Sequence, residues 1–236
     1  MDRDLARRCT AEAVGTAFLV AIVVGSGIFA HRLSPGDTGL QLLENSTATG
    51  AGLVALILAF GSVSGAHFNP VVTLADRLLG GLTSRAAGAY VVAQVMGGCI
   101  GAVAANLMFS LPAVTLSTHT PSAGGLWLGE VVATFGLLMV ILGMVRSGRA
   151  SAAPFAVGGY IAAAYWFTSS TSFANPAVTI ARMLTDTFAG IRPSSAPMFV
   201  VAQVAGGLGA VALARFLYPR LPADSVVVPH DHAANA

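Results

Sequence analysis

The chain has 236 residues, of which 55% are hydrophobic and only 9% are charged, and its mean hydropathy is +0.76. A soluble domain carries about a quarter charged residues, so a soluble globular fold is excluded, and the sequence is too apolar to be disordered. All 12 basic residues are Arg and the net charge is +2 with no dense basic patch, which leaves no electrostatic footprint for nucleic acid. Cys9 and Cys99 offer neither a disulfide framework nor a metal-ligand cluster.

A helix needs about 20 apolar residues to cross a bilayer. In chain order the candidates are 13–30, a segment from about 47, then 86–109, 126–145 (with one acid, Glu130), 151–167 and 197–217. Two charge-free runs are longer than one span requires: 45–75 with 31 residues and 150–181 with 32. Each reads as a helix plus a shorter apolar piece. Such a piece cannot cross again and is expected to enter and leave by the same face as a half-helix. Arg3, Arg7, Arg8, Arg77, Arg85, Arg146, Arg149 and Arg220 fall on one side of the spans, and Arg32, Arg182 and Arg192 on the other. That bias puts both termini in the cytoplasm. The tail after Tyr218 reads as disordered.

Three segments recur in the same order. Glu12-Ala-Val-Gly-Thr16 matches Glu130-Val-Val-Ala-Thr134, Asn69-Pro-Val-Val-Thr-Leu-Ala75 matches Asn175-Pro-Ala-Val-Thr-Ile-Ala181, and Val91-Val-Ala-Gln-Val95 equals Val200-Val-Ala-Gln-Val204. The unit is three spans plus one half-helix. Three is odd, so the second copy inserts upside down, which is an inverted repeat. The expected division is a first repeat at 1–110 with its half-helix near 69–78, a connecting loop at 111–125, a second repeat at 126–218 with its half-helix near 175–184, and a tail at 219–236. The first span belongs to the repeat, so its basic start is not taken as a signal peptide.

Asn is a strong N-cap and Pro suits the first helical position. Asn69-Pro70 and Asn175-Pro176 therefore each start a helix. Inverted symmetry brings the two positive helix ends together near the midplane. The Asn oxygens cap the helices and leave amide donors for a passing solute, whereas a cation meets two positive ends. The unwound residues before them, Gly65, Ala66, His67 and Thr171, Ser172, Phe173, are expected to present a ladder of carbonyl acceptors. Non-helical backbone at this depth is tolerated where it lines a water-filled path.

Ser64-Gly-Ala-His-Phe-Asn-Pro-Val-Val-Thr73 and Phe173-Ala-Asn-Pro-Ala-Val-Thr179 resemble the paired motifs of aquaporins and aquaglyceroporins, and the likeness runs over about residues 10–218. It implies an all-α membrane protein with six transmembrane helices and two re-entrant half-helices. It also implies a pore within each protomer of a homotetramer, and passive passage of water or small neutral solutes without a cofactor. Two positions depart from the family. The first motif ends in Val71 where the second keeps Ala177. The Arg that usually follows the second motif is replaced by Val178. The family's other filter positions carry over by spacing from the motif Asn to Thr49, Ala163 and Ser172. Water-selective members have aromatic and His side chains at the first two, so a wide filter without ring or guanidinium is expected. It would pass glycerol, urea and neutral metalloid hydroxides. The Val at 178 resembles the bacterial aquaglyceroporins linked to arsenic resistance, which implies arsenite, methylarsenite and antimonite as solutes. An ordinary water-selective aquaporin is the alternative within the family.

Glu12 and Glu130 lie inside spans, where an acid suggests a proton relay. Their repeat-related positions favour instead a role in holding the unwound backbone. Arg182, four residues after Val178, either reaches into the outer vestibule or complements the helix C-terminus and meets solvent. The second is the commoner situation and is the expectation. His67 reads as a loop residue rather than a metal ligand, and His230-Asp231-His232 as non-specific. The Gly97-Gly98 and Gly206-Gly207 pairs suit close helix packing. An intramembrane enzyme would need a nucleophile elbow or metal ligands, and neither pattern occurs. A proton-coupled carrier using Glu12 and Glu130 would share the half-helix architecture but show saturable, gradient-driven flux.

Overall fold

The computed structural model describes residues 3–119 and 124–218. The tail at 219–236, with Arg220, His230, Asp231 and His232, and the loop residues 120–123 lie outside the described residues. The helices are α1 (Arg3–Leu33), α2 (Thr38–Ser64), α3 (Pro70–Leu79), α4 (Ser84–Met108), α5 (Gly124–Arg146), α6 (Ala153–Phe167), α7 (Pro176–Ala181) and α8 (Ala196–Leu217). Five of them (α1, α2, α4, α5 and α8) are long and apolar enough to cross a membrane on their own. The sixth span is shorter than the others, since α6 has 15 residues. A 3-10 turn at Ala150–Ala152 precedes it. At 1.5 and 2.0 Å per residue the two together reach about 28 Å, close to the hydrocarbon thickness. Trp166 and Phe167 are exposed at its far end, where amphipathic aromatics settle at a membrane interface.

The polarity pattern is that of a lipid-embedded bundle. Phe18, Met96, Ile100, Leu128, Phe155, Val201 and Phe216 point outward. Glu12, Thr16, Gln94, Glu130, Thr134 and Gln203 are fully buried. The all-α architecture is six spans with α3 and α7 as the re-entrant half-helices, arranged as an inverted repeat of α1–α4 and α5–α8.

The two repeats pack through backbone contact. A Cβ on Gly97 would sit 2.1 Å from the Ala13 carbonyl oxygen, and one on Gly101 equally close to that of Ala17. The counterpart Gly206 on α8 would meet the Val131 oxygen of α5 at 2.3 Å. Across the molecular centre, Gly50 of α2 and Gly158 of α6 face one another, each within 2.8 Å of the other's carbonyl oxygen once given a Cβ. Without a hydrophobic driving force between helices in lipid, such close approach is what holds them.

Gly97→Ala is therefore expected to push α1 from α4 and destabilise the protein by about 1–3 kcal/mol. Gly88→Ala on the same helix meets nothing within 4 Å and should be neutral or slightly stabilising. Thermal unfolding of both variants in detergent checks the difference; equal midpoints would contradict it.

Candidate pore and filter

The half-helices meet head to head. Asn69 caps α3 by accepting from Val71 N at 2.9 Å, and Asn175 caps α7 by accepting from Ala177 N at 3.0 Å and Val178 N at 3.3 Å. Each Asn then uses an amide hydrogen on the other repeat. Asn69 Nδ2 donates to the Ala174 carbonyl at 2.7 Å, and Asn175 Nδ2 donates to the Phe68 carbonyl at 2.7 Å. This reciprocal pair locks the two N-termini together. One amide hydrogen of each Asn is left for the lumen, and both Asn side chains line the central cavity. Pro70 and Pro176 occupy the first helical positions. Val71 and Ala177 are buried behind the caps, with Val71 packed against Gly207 of α8.

The segments leading into these caps have the same unusual backbone. Gly65, Ala66 and Phe68 have positive φ (85°, 48° and 48°), and Thr171, Ser172 and Ala174 match them (59°, 54° and 48°). A left-handed non-glycine residue costs about 1–2 kcal/mol, so something must hold each run. Glu12 does so in the first repeat. Its Oε1 accepts from His67 N at 2.9 Å and Ser64 Oγ at 2.6 Å, and its Oε2 from Phe68 N at 2.7 Å and Gln94 Nε2 at 2.8 Å. Glu130 takes Phe173 N at 2.9 Å, Ala174 N at 2.8 Å and Gln203 Nε2 at 2.6 Å. Gln94 also donates to Thr73 Oγ1, and Gln203 to Thr179 Oγ1. Both carboxylates are fully buried and satisfied by donors. Gln94, Gln203, Thr73 and Thr179 were not singled out from the sequence, although each lies inside one of the recurring segments.

A cavity runs past these groups. Its lining combines apolar residues such as Leu19, Leu53, Ile57, Leu137 and Ile161 with Gly65, Ala66, His67, Ser172 and Phe173 of the unwound segments and the two Asn. Thr171 is not in this lining and is only half-buried, so the exposed backbone of the second repeat starts one residue later than the spacing suggests. Ser172 Oγ is buried without a protein partner, a hydroxyl available to whatever occupies the cavity.

Of the four filter positions, Thr49, Ser172 and Val178 line the cavity and Ala163 does not. Ala163 is exposed on the outer face of α6. Counting back from Asn175 assumes the family's distance between helix and motif. Here α6 continues to Phe167, and its 3.6-residue period turns Ile161 and Tyr165 inward instead. Tyr165 is buried, and its hydroxyl lies 3.2 Å from Thr49 Oγ1. The expectation of a filter without rings is thereby corrected.

The expectation for Arg182 is corrected too. Arg182 does not meet solvent outside a helix end: it is 5% exposed and lines the cavity. After six residues α7 tightens into a 3-10 turn at Arg182–Leu184, and the following loop folds back over it. Arg182 Nε donates to the Ala189 carbonyl, and the guanidinium carbon stacks 3.4 Å from the centroid of the Phe173 ring. A guanidinium is therefore present in the wall, one turn beyond Val178.

Sequence comparison agrees with this geometry. The profile described as "MIP: Major intrinsic protein" matches residues 2–174 and 151–236. The chain is 53% identical over 214 residues to "Aquaglyceroporin AqpS" of Rhizobium meliloti, covering 91% of each chain. It is 29% identical to "Probable aquaporin AqpM" of Archaeoglobus fulgidus, over 92% of this chain and 99% of that one. Among solved structures, the aquaglyceroporin from Plasmodium falciparum superposes with a TM-score of 0.69 at 23% identity, covering 90% of this chain and 95% of that chain, a likeness in fold. With paired Asn-Pro caps joined head to head beside a membrane-depth cavity, and with both halves of the sequence matched, the chain belongs to the major intrinsic protein family of multi-pass membrane channels, which are transporters and not enzymes.

Proposed function

We propose that the chain is a passive channel of the plasma membrane for water and for uncharged hydroxylated solutes larger than water: glycerol, and the trivalent arsenicals arsenite and methylarsenite or antimonite. The observation that carries the solute class is Val178 in the cavity wall, at the position where similar water channels carry Arg. The mixed apolar and polar lining of the cavity supports it. A polyol or a neutral metalloid trihydroxide presents hydroxyls to Asn69, Asn175, Thr49 and Ser172 and turns its remaining surface to the apolar side chains. The paired motifs and filter residues Thr49, Tyr165, Ser172 and Val178 act as the selective path in this reading. The protomers form a homotetramer with one pore each, and both termini lie in the cytoplasm, as the Arg distribution suggests.

Stopped-flow light scattering on reconstituted vesicles tests the solute class. Wild-type protein should pass water, glycerol and arsenite; movement of water alone would overturn the reading. Val178→Arg places a guanidinium in the filter and should lower glycerol and arsenite flux by about tenfold, water flux less. Unchanged flux of the larger solutes would remove Val178 from the constriction.

Glu12 and Glu130 act as structural acids here, since their oxygens are occupied by donors from the unwound segments. Glycerol flux is expected to rise linearly with concentration and to ignore a pH gradient. Glu130→Gln should destabilise the fold by about 3–5 kcal/mol, because a buried set of N–H donors loses its charged acceptor. Saturable flux driven by a pH gradient would favour the carrier instead.

A further inference from the structure

We propose that Arg182 is the specificity-determining cation of this pore: it takes over, from one turn further along the second half-helix, the charge and the N–H donors missing at Val178. The inference rests on the channel reading above and adds a second barrier to protons and metal cations beside the two half-helix N-termini.

Three observations carry it. First, Arg182 is nearly buried and forms no ion pair among the described residues; the carboxylate whose charge reaches it, Glu130, is already occupied by the unwound segment. A buried charge needs polar surroundings on its open side, and the side that is open here is the cavity, with Tyr165 and Thr49 among its lining. Second, its orientation is held from two directions. The Phe173 ring lies under the guanidinium at 3.4 Å, and the Ala189 carbonyl takes Nε. Those contacts use the ring face and one N–H, and leave the terminal Nη groups for the lumen. Tyr165 and Thr49, joined at 3.2 Å, stand in the same cavity wall. Together they make an outer ring of hydroxyl and guanidinium groups suited to hydroxylated neutral solutes and hostile to cations.

Third, the repeat shows that this position holds a ring–charge couple in both halves. Asp76 and Arg182 each stand seven residues after a motif Asn, and His67 and Phe173 each stand two before it. In the first repeat the couple is His67 with Asp76, Nε2 to Oδ2 at 3.6 Å. In the second it is Phe173 with Arg182. The same pair of positions thus holds an acid beside a ring edge in one half and a cation over a ring face in the other.

The test uses vesicles containing the full chain, a pH-sensitive dye inside and an imposed potassium diffusion potential, with water and glycerol flux measured in parallel. Arg182→Met keeps an unbranched stem over Phe173 and removes the charge. It should raise proton and potassium leak, per unit of water flux in the same vesicles, by about tenfold or more. Arg182→Lys should keep the leak low. If Arg182→Met does not reach the membrane, Arg182→Gln, which retains a donor for Ala189, makes the same comparison. Wild-type leak and wild-type solute ratios in a folded, water-conducting uncharged variant would overturn the inference and reduce Arg182 to an anchor of the 185–191 loop. A wild-type protein that conducts water but not glycerol would defeat the solute reading alone, and one that conducts no water would defeat the channel reading; the leak of the variants reports on Arg182 separately from both.

Discussion

Two carboxylates hold open what the bilayer would otherwise forbid. Unwound backbone at membrane depth exposes N–H and C=O groups that hydrocarbon cannot satisfy. Six residues with left-handed φ surround the motif caps, five of them not glycine, and the combined strain of those five is several kcal/mol. Glu12 and Glu130 collect the inward N–H groups of both segments, and Gln94 and Gln203 tie each carboxylate to a threonine of the adjoining half-helix. Charge-assisted hydrogen bonds of this kind contribute about 1.5–3 kcal/mol each, enough to offset the backbone strain. With the N–H side fixed, the remaining backbone is left along the cavity, and the position of the two Asn follows.

The Asn pair then converts two separate half-helices into one unit. Each cap amide reaches the carbonyl just before the other cap, so neither half-helix can shift without moving its mate. The supporting helices are held by a different force. Glycines on α4, α8, α2 and α6 bring backbones within the distance a methyl group would occupy. Dispersion over those seams acts in lipid where hydrophobic burial between helices does not.

Function enters where the symmetry breaks. The framework residues, Glu, Gln, Thr and Asn, are identical in the two repeats. Asn69 and Asn175, and Val72 and Val178, line the cavity as identical pairs, but other residues that face it or back it differ. His67 and Asp76 in one half correspond to Phe173 and Arg182 in the other, and Gly65 corresponds to Thr171. The inner and outer ends of the path therefore differ in charge although their backbones match. A repeat protein of this kind separates the two tasks: paired positions make the path, and unpaired ones decide what it accepts.

Much of this was legible in the sequence. Hydropathy marked the spans, and the odd number per repeat set the inverted architecture. Asn-Pro marked both half-helix starts, because capping and proline geometry are local. The matching Glu positions pointed to a structural role before their hydrogen bonds were visible. Two things escaped. Ala163 was placed in the filter by counting residues, but α6 runs to Phe167, and the rotation this imposes turns Ala163 outward and Tyr165 inward. Arg182 was expected to meet solvent at a helix end, but its burial depends on a 3-10 turn and on a loop that folds back to Ala189. The sequence by itself determined the number of spans, the two caps and the loss of Arg at 178, since each depends on neighbours within a few residues. Only the tertiary structure decided which side chains share the cavity wall, because that depends on helix rotation and on contacts between segments far apart in the chain.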